Sequence, residues 1–177
     1  MSDERLNRVG TKLIHKGPIF SVKADTFQYA DGSRATREIV VHPGAVGVVA
    51  HDERVLYMCE QPREAVNEPA LLEIPAGKLD VEGETPLECA QRELVEEIGK
   101  SAGDWRELKS FYTSPGFASE RFWIFLATEL YDVPRRPSAG ERIEIVEIPL
   151  DDIGGAIQRC EDAKSLIGLL VLRDLLA

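Results

Sequence analysis

Apolar positions along this chain recur with two periods. Residues 18–29 and 34–42 flank Ala30-Asp31-Gly32-Ser33, whose Asp-Gly pair is a strong turn signal, and this predicts a β-hairpin. Ala45 to Ala50 and Val55 to Cys59 run apolar or alternate about the polar Asp52-Glu53 turn, as strands of a central sheet do. Leu71-Leu72-Glu73-Ile74 reads as a short strand, and Pro75-Ala76-Gly77 turns the chain into a loop. A helical period follows. Thr85, Pro86 and Glu88 fall at N-cap, N1 and N3 of a capping box, while Leu87, Ala90, Leu94 and Ile98 form one stripe at about 100° per residue. Gly99 closes the helix where a positive φ is commonly needed. Further strands are predicted near 105–112, 121–129 and 142–148, then helices over 150–160 and 162–176, the last apolar at Leu166, Leu169, Leu170 and Leu172. This order suits a mixed sheet between helices, an α/β class, with no internal repeat or low-complexity linker.

The helix after the Gly-containing loop carries the candidate chemistry. Residues 92–99 read Arg-Glu-Leu-Val-Glu-Glu-Ile-Gly, which places Glu93, Glu96 and Glu97 at i, i+3 and i+4 on one flank. Like charges at that spacing cost about 0.2–0.5 kcal/mol per pair in an isolated helix, so the cluster opposes the helix unless a cation neutralises it. A divalent metal is the candidate. Mg²⁺ takes oxygen ligands and is held by one or two carboxylates together with substrate phosphates, so the substrate should carry phosphate. Gly77 and Gly83 let backbone approach an ion closely, and the Ala76 carbonyl is a candidate ligand. The bland alternative is a solvated acidic helix face. The accompanying Arg92, the marked cap and the preceding turn argue against it.

Gly77, Glu84, Arg92, Glu93, Leu94, Glu96, Glu97 and Gly99 together resemble the Nudix box, Gly-x5-Glu-x7-Arg-Glu-U-x-Glu-Glu-x-Gly-U, where U is apolar. Two positions depart from it: six residues rather than five separate Gly77 from Glu84, and Lys100 stands at the final apolar position. The similarity covers most of the chain and runs to the ADP-ribose pyrophosphatase branch of the Nudix hydrolases. It is carried by residues 37–46, by Leu72-Glu73-Ile74-Pro75-Ala76-Gly77, by Pro115 sixteen residues beyond Gly99, and by residues 162–170.

The resemblance implies a Nudix α/β/α sandwich with a mixed sheet, preceded by an N-terminal antiparallel β-hairpin. Residues 1–43 would supply dimerisation strands and substrate contacts, and residues 44–177 the hydrolase domain. It implies metal ligation by the Ala76 carbonyl, Glu93 and Glu97, with Glu96 adjusting or sharing a second ion, and Arg92 orienting the glutamates. Glu141 matches a family glutamate that contacts metal or prepares the attacking water, with Glu144 competing for that role. Arg37, Arg63, Glu73 and Pro115 match substrate-side positions, the arginines with surface ion pairing as their alternative. Phe20 aligns with an adenine-stacking aromatic or is a core phenylalanine. The implied reaction is hydrolysis of ADP-ribose to AMP and ribose 5-phosphate with Mg²⁺, or Mn²⁺, by a homodimer. Another nucleoside diphosphate sugar such as GDP-mannose is the rival substrate, and a silent nucleotide-binding module is the rival class.

Composition narrows the partners. At 177 residues the chain fits one domain with a sizeable core, and its net charge of −10 disfavours nucleic acid and anionic membranes. A small phosphorylated substrate reached through a metal stays compatible. Three widely spaced cysteines, Cys59, Cys89 and Cys160, suggest reduced thiols and a cytoplasmic setting, without zinc-ligand spacing. The N-terminus lacks the pattern of a signal peptide, and no stretch reaches the roughly 18 apolar residues of a membrane span. His15, His42 and His51 lie near no nucleophile pattern and are assigned structural or solvent-exposed places.

Overall fold

Asp31 and Gly32 make the turn expected of them: Gly32 sits at φ 81°, and the Asp31 carboxylate accepts the Ser33 N–H at 2.9 Å. They join β2 (Ser21–Tyr29) to β3 (Arg34–Val41) in the predicted hairpin. The computed structural model describes residues 6–137, 140 and 142–177. In it a further strand, β1 (Leu6–Lys16), pairs antiparallel with β2 and makes a three-stranded sheet. Sequence periodicity misses β1 because all of its residues are exposed, so no buried face imposes alternation. Its anchor is polar. Asp25 of β2 is 2% exposed and accepts hydrogen bonds from Thr11 Oγ1 and, at 3.1 Å, from Arg8 Nη1. Those donors, Thr11 first, hold its carboxyl below the usual range. With this sheet goes the segment Tyr112–Arg121, tied to β3 by Val40 N–H to Phe117 O (2.8 Å) and Ser119 N–H to Val40 O (2.9 Å).

The second unit, Ala45–Phe111 with Phe122–Ala177, is built on strict strand alternation. It holds β4 (Ala45–His51), β5 (Val55–Arg63), β6 (Glu68–Glu73), β7 (Ala76–Lys78), β8 (Lys100–Tyr112), β9 (Arg121–Asp132) and β10 (Glu144–Pro149). The sheet order is β10-β5-β4-β9-β8, with β6 on β5 and β7 on β4, and the β4/β9 pair is parallel. Val46, Val48 and Ala50 of β4, Tyr57 and Cys59 of β5, and Phe125 and Ala127 of β9 pack with Cys89, Ala90, Leu94 and Ile98 of α1 (Pro86–Ile98). Their neighbours Val49, Leu56, Met58, Ile124 and Leu126 point the other way. There they meet Ile153 and Ala156 of α2 (Ile153–Arg159) and Leu169 and Leu172 of α3 (Ala163–Leu176). The result is the expected α/β/α layering.

Several local expectations change. Leu87 is 37% exposed, and Cys89 takes its place in the buried stripe. β8 begins at Lys100 rather than near 105, and the loop after Pro75 re-enters the sheet at once as β7. Lys100 has a physical reason to replace an apolar residue: its Nζ lies over Tyr57, 4.4 Å from the ring centroid, and pairs with Asp132 at 2.8 Å. Among the described residues, no helix is long and apolar enough to cross a membrane.

Candidate active site

Helix α1 starts and stops where the sequence places it, and this fixes the rotation of its acidic flank. Thr85 Oγ1 accepts the Glu88 N–H, Glu88 Oε2 accepts the Thr85 N–H at 2.8 Å, and Gly99 ends the helix at φ 73°. Glu93 and Glu97 are thereby carried inward, to 7% and 3% exposure. Burying a carboxylate is costly unless it is paired or hydrogen-bonded, so each has found a partner. Glu93 Oε1 accepts from Arg92 Nη1 at 2.7 Å, and Glu97 Oε2 accepts from the Ala76 N–H at 2.9 Å. The Cys59 thiol lies 3.8 Å from the same Glu97 oxygen; burial, then the Glu97 charge, pushes that thiol well up, so it stays protonated as a donor.

Arg92 organises the cluster. Its Nε and Nη2 take both oxygens of Glu84, at 2.8 and 3.0 Å, while Nη1 reaches Glu93 and, at 3.2 Å, Glu96. The guanidinium is held firmly protonated, above all by Glu84, and Arg92 in turn keeps the Glu84 carboxyl below its ordinary range. The extra residue between Gly77 and Glu84 therefore does not remove Glu84 from the site. Sequence spacing alone understated its part, because loop length does not show where a turn such as that at Gly83, φ 82°, redirects the chain. Cys89 is the other unforeseen member, with Arg92 Nη2 3.4 Å from its sulfur and its thiol pushed up to about 12 by burial.

Gly77 forms the floor. A Cβ there would stand 1.8 Å from Glu93 Oε1, so the carboxylate occupies the space that any other residue would fill. This cradle, together with the oxygen-only donors Glu93, Glu96, Glu97 and the Ala76 backbone, fits a hard divalent cation rather than a thiolate- or imidazole-seeking one. As they stand, these carboxylates are engaged with Arg92 and the Ala76 amide. No group of three His, Cys, Asp or Glu side chains among the described residues forms a ready metal cage.

The remaining expected residues separate into two groups. Arg63 and Glu73 face each other across β5 and β6, with Nε and Nη2 of Arg63 at 2.8 and 2.7 Å from Glu73 Oε2; Glu73 is 3% exposed. Arg37, Phe20 and Pro115 belong to the other unit. Arg37 is exposed, and Phe20, 42% exposed and 6.3 Å from the His15 ring, is not a core phenylalanine. Glu141 lies outside the described residues, and Glu144 opens β10, exposed and opposite Glu60.

A capped helix bearing this carboxylate set, a glycine-floored loop and a mixed sheet between helix layers define a Nudix-type α/β/α domain. The NUDIX domain family model matches residues 41–167, and the chain belongs to that family. An ADP-ribose pyrophosphatase of Bacillus subtilis is 37% identical over 93% of this chain and 91% of its own length. One from Mycobacterium tuberculosis is 37% identical over 82% and 70%. A methanol dehydrogenase activator of Bacillus methanolicus is 37% identical over 93% and 91%. In fold, the chain resembles a crystal structure described as an ADP compounds hydrolase, with a TM-score of 0.85, 24% identity, and coverage of 97% and 94% of the two chains.

The Glu84–Arg92 pair has a testable pH signature. A carboxyl whose pKa is depressed by folding stabilises the native state above its unfolded value, and loses that contribution as pH falls through the folded one. Glu84→Gln should therefore lower stability by about 1.5–3 kcal/mol at pH 7, the range for hydrogen bonds to charged groups. The gap from wild type should close as pH falls below the ordinary glutamate range near about 4.3. Urea denaturation at pH 7, 5 and 3 measures this.

Proposed function

We propose that this chain is a divalent-metal-dependent hydrolase that cleaves the diphosphate of ADP-ribose to AMP and ribose 5-phosphate. The observation that carries the reading is the buried Glu93–Glu97 pair, organised by Arg92 and floored by Gly77. The two relatives named ADP-ribose pyrophosphatases support the substrate.

Glu93, Glu96, Glu97 and the Ala76 carbonyl would hold the cation, Mg²⁺ in the first instance and Mn²⁺ as a substitute. When bound, such a cation neutralises phosphoryl oxygens and acidifies water. Arg92, gripped along its Nε–Nη2 edge by Glu84, keeps the acidic side chains in register rather than touching substrate. Arg63, whose side chain is 41% exposed although Glu73 holds one edge of it, offers its guanidinium to a phosphate. Arg37 would add a second phosphate contact, Phe20 a stacking face for adenine, and Pro115 the mark of ADP-ribose specificity that the family resemblance implies. We assign Glu141 the proton of the attacking water on the family resemblance alone.

Residues 1–43 serve dimerisation in this reading, and residues 44–177 the chemistry. The support is β1, which exposes Leu6, Val9, Leu13 and Ile14 at 48–55% and so offers an apolar surface to a second copy. The three free, buried thiols accord with a cytoplasmic setting. GDP-mannose is the second substrate to test, since a GDP-mannose pyrophosphatase of Enterobacter is 35% identical over 58% of this chain.

With Mg²⁺, kcat/KM for ADP-ribose should exceed that for GDP-mannose and other dinucleotides by at least about tenfold, which pocket contacts to base and sugar can supply. Equal rates across the panel would defeat the specificity. Glu97→Gln, isosteric and outside the apolar stripe, should keep the circular dichroism spectrum and lose about 100-fold or more of the metal-dependent rate. Unimpaired turnover would refute the metal role. Light scattering should return near twice the 19.7 kDa chain mass; a monomer would remove the dimer.

A further inference from the structure

Between β6 and β7 the chain leaves the sheet for two residues, and a buried polar network governs that step. Once off the ladder, the Ile74 N–H needs a partner elsewhere. It donates to Ser165 Oγ at 2.8 Å, ninety-one residues further along the chain, in the first turn of α3, where Ser165 is 0% exposed. The Ser165 hydroxyl in turn donates to Asp162 Oδ2 at 2.7 Å, and the same oxygen accepts the Ser165 N–H at 2.9 Å. Lys164 pairs with Oδ1. Burial would raise the Asp162 carboxyl, but Lys164 and the Ser165 bonds outweigh it and keep the group below its ordinary range. An ionised carboxylate only accepts, so the hydroxyl proton must point at Asp162 and its lone pairs are left to face Ile74.

The Ile74 side chain is fixed as tightly as its amide. A Cβ on Gly47 would stand 2.7 Å from Ile74 Cδ1 and one on Gly168 3.4 Å, so the side chain lies wedged between β4 and α3. Pro75 O then accepts the Val48 N–H at 2.8 Å, and the next amide, that of Ala76, is the one that binds Glu97. Capping α3 needs Asp162 alone, since its side chain already takes the N3 amide. Beyond its bond to that carboxylate, the Ser165 hydroxyl is the acceptor for Ile74.

We propose that Ser165, oriented by Asp162, is a positioning residue for the carboxylate site: it fixes the backbone at Ile74 so that Ala76 presents its amide and carbonyl beside Glu97. This rests on the reading of that site as a metal-binding hydrolytic centre, and it is tested apart from turnover. The variants are Ser165→Ala, Asp162→Asn, which keeps a good N-cap, and Leu172→Val, a core change in the same helix that spares the network. In metal-free protein, NMR hydrogen exchange of the Ala76 amide relative to that of Leu94 should quicken about tenfold in Ser165→Ala, and by less in Asp162→Asn. It should not move in Leu172→Val. Calorimetric affinity for Mn²⁺ should fall about tenfold in Ser165→Ala, within the range typical when an outer partner of a metal ligand is lost, with kcat falling more than KM rises. If Ser165→Ala does not fold, Asp162→Asn carries both readouts.

Exchange and Mn²⁺ affinity that follow only the loss of stability, as in Leu172→Val, overturn the proposal. Wild-type protein that hydrolyses no diphosphate while Ala76 exchange still quickens in Ser165→Ala sinks the hydrolase reading and supports the positioning.

Discussion

Everything at the candidate site follows from placing negative charge on the buried flank of one helix. Glu93 and Glu97 are pulled out of water by the same rotation that packs Leu94 and Ile98 against the sheet, and a buried carboxylate without compensation would cost several kcal/mol. The compensation determines the neighbourhood. Arg92 must sit beside Glu93, Glu84 must hold Arg92, Ala76 must turn its amide toward Glu97, and position 77 must lack a side chain. Together these requirements bind the β7 segment and α1 into one constellation.

That constellation depends on the central sheet for its precision. Alternation along β4, β5 and β9 gives each helix layer its own set of apolar partners, so α1 cannot shift without exposing Cys89, Ala90 and Leu94. The opposite layer contributes too. α3 packs closely enough for Gly168 to lie against Val49 and Ile74, and its first turn donates the polar contact that sets the bend before Ala76. The two helical layers therefore meet chemically at Ile74–Ala76, although the sheet separates them physically.

The N-terminal unit follows a different logic. Its three strands bury little apolar surface, and the polar triad of Asp25, Thr11 and Arg8 stitches β1 to β2 where a hydrophobic face would otherwise do so. Apolar side chains of β1, among them Leu6, Val9, Leu13 and Ile14, stay on the outside of this sheet.

Much of this was legible beforehand. The capping box, the Gly99 stop, the hairpin at Asp31-Gly32 and the acidic triplet at i, i+3 and i+4 are short-range codes, in which a residue's conformation is set by neighbours within one turn. Three features could not be read that way. β1 carries no periodic signal because neither of its faces is buried. Glu84 joins Arg92 through a loop whose path depends on where β7 adds to β4. Ser165 meets Ile74 across ninety-one positions, a contact fixed only when α3 settles on the sheet. The sequence by itself determined which helix bears the charge and where it begins and ends, because those are local backbone preferences. Tertiary structure decided what neutralises that charge, because desolvation and pairing exist only once distant segments have closed around it.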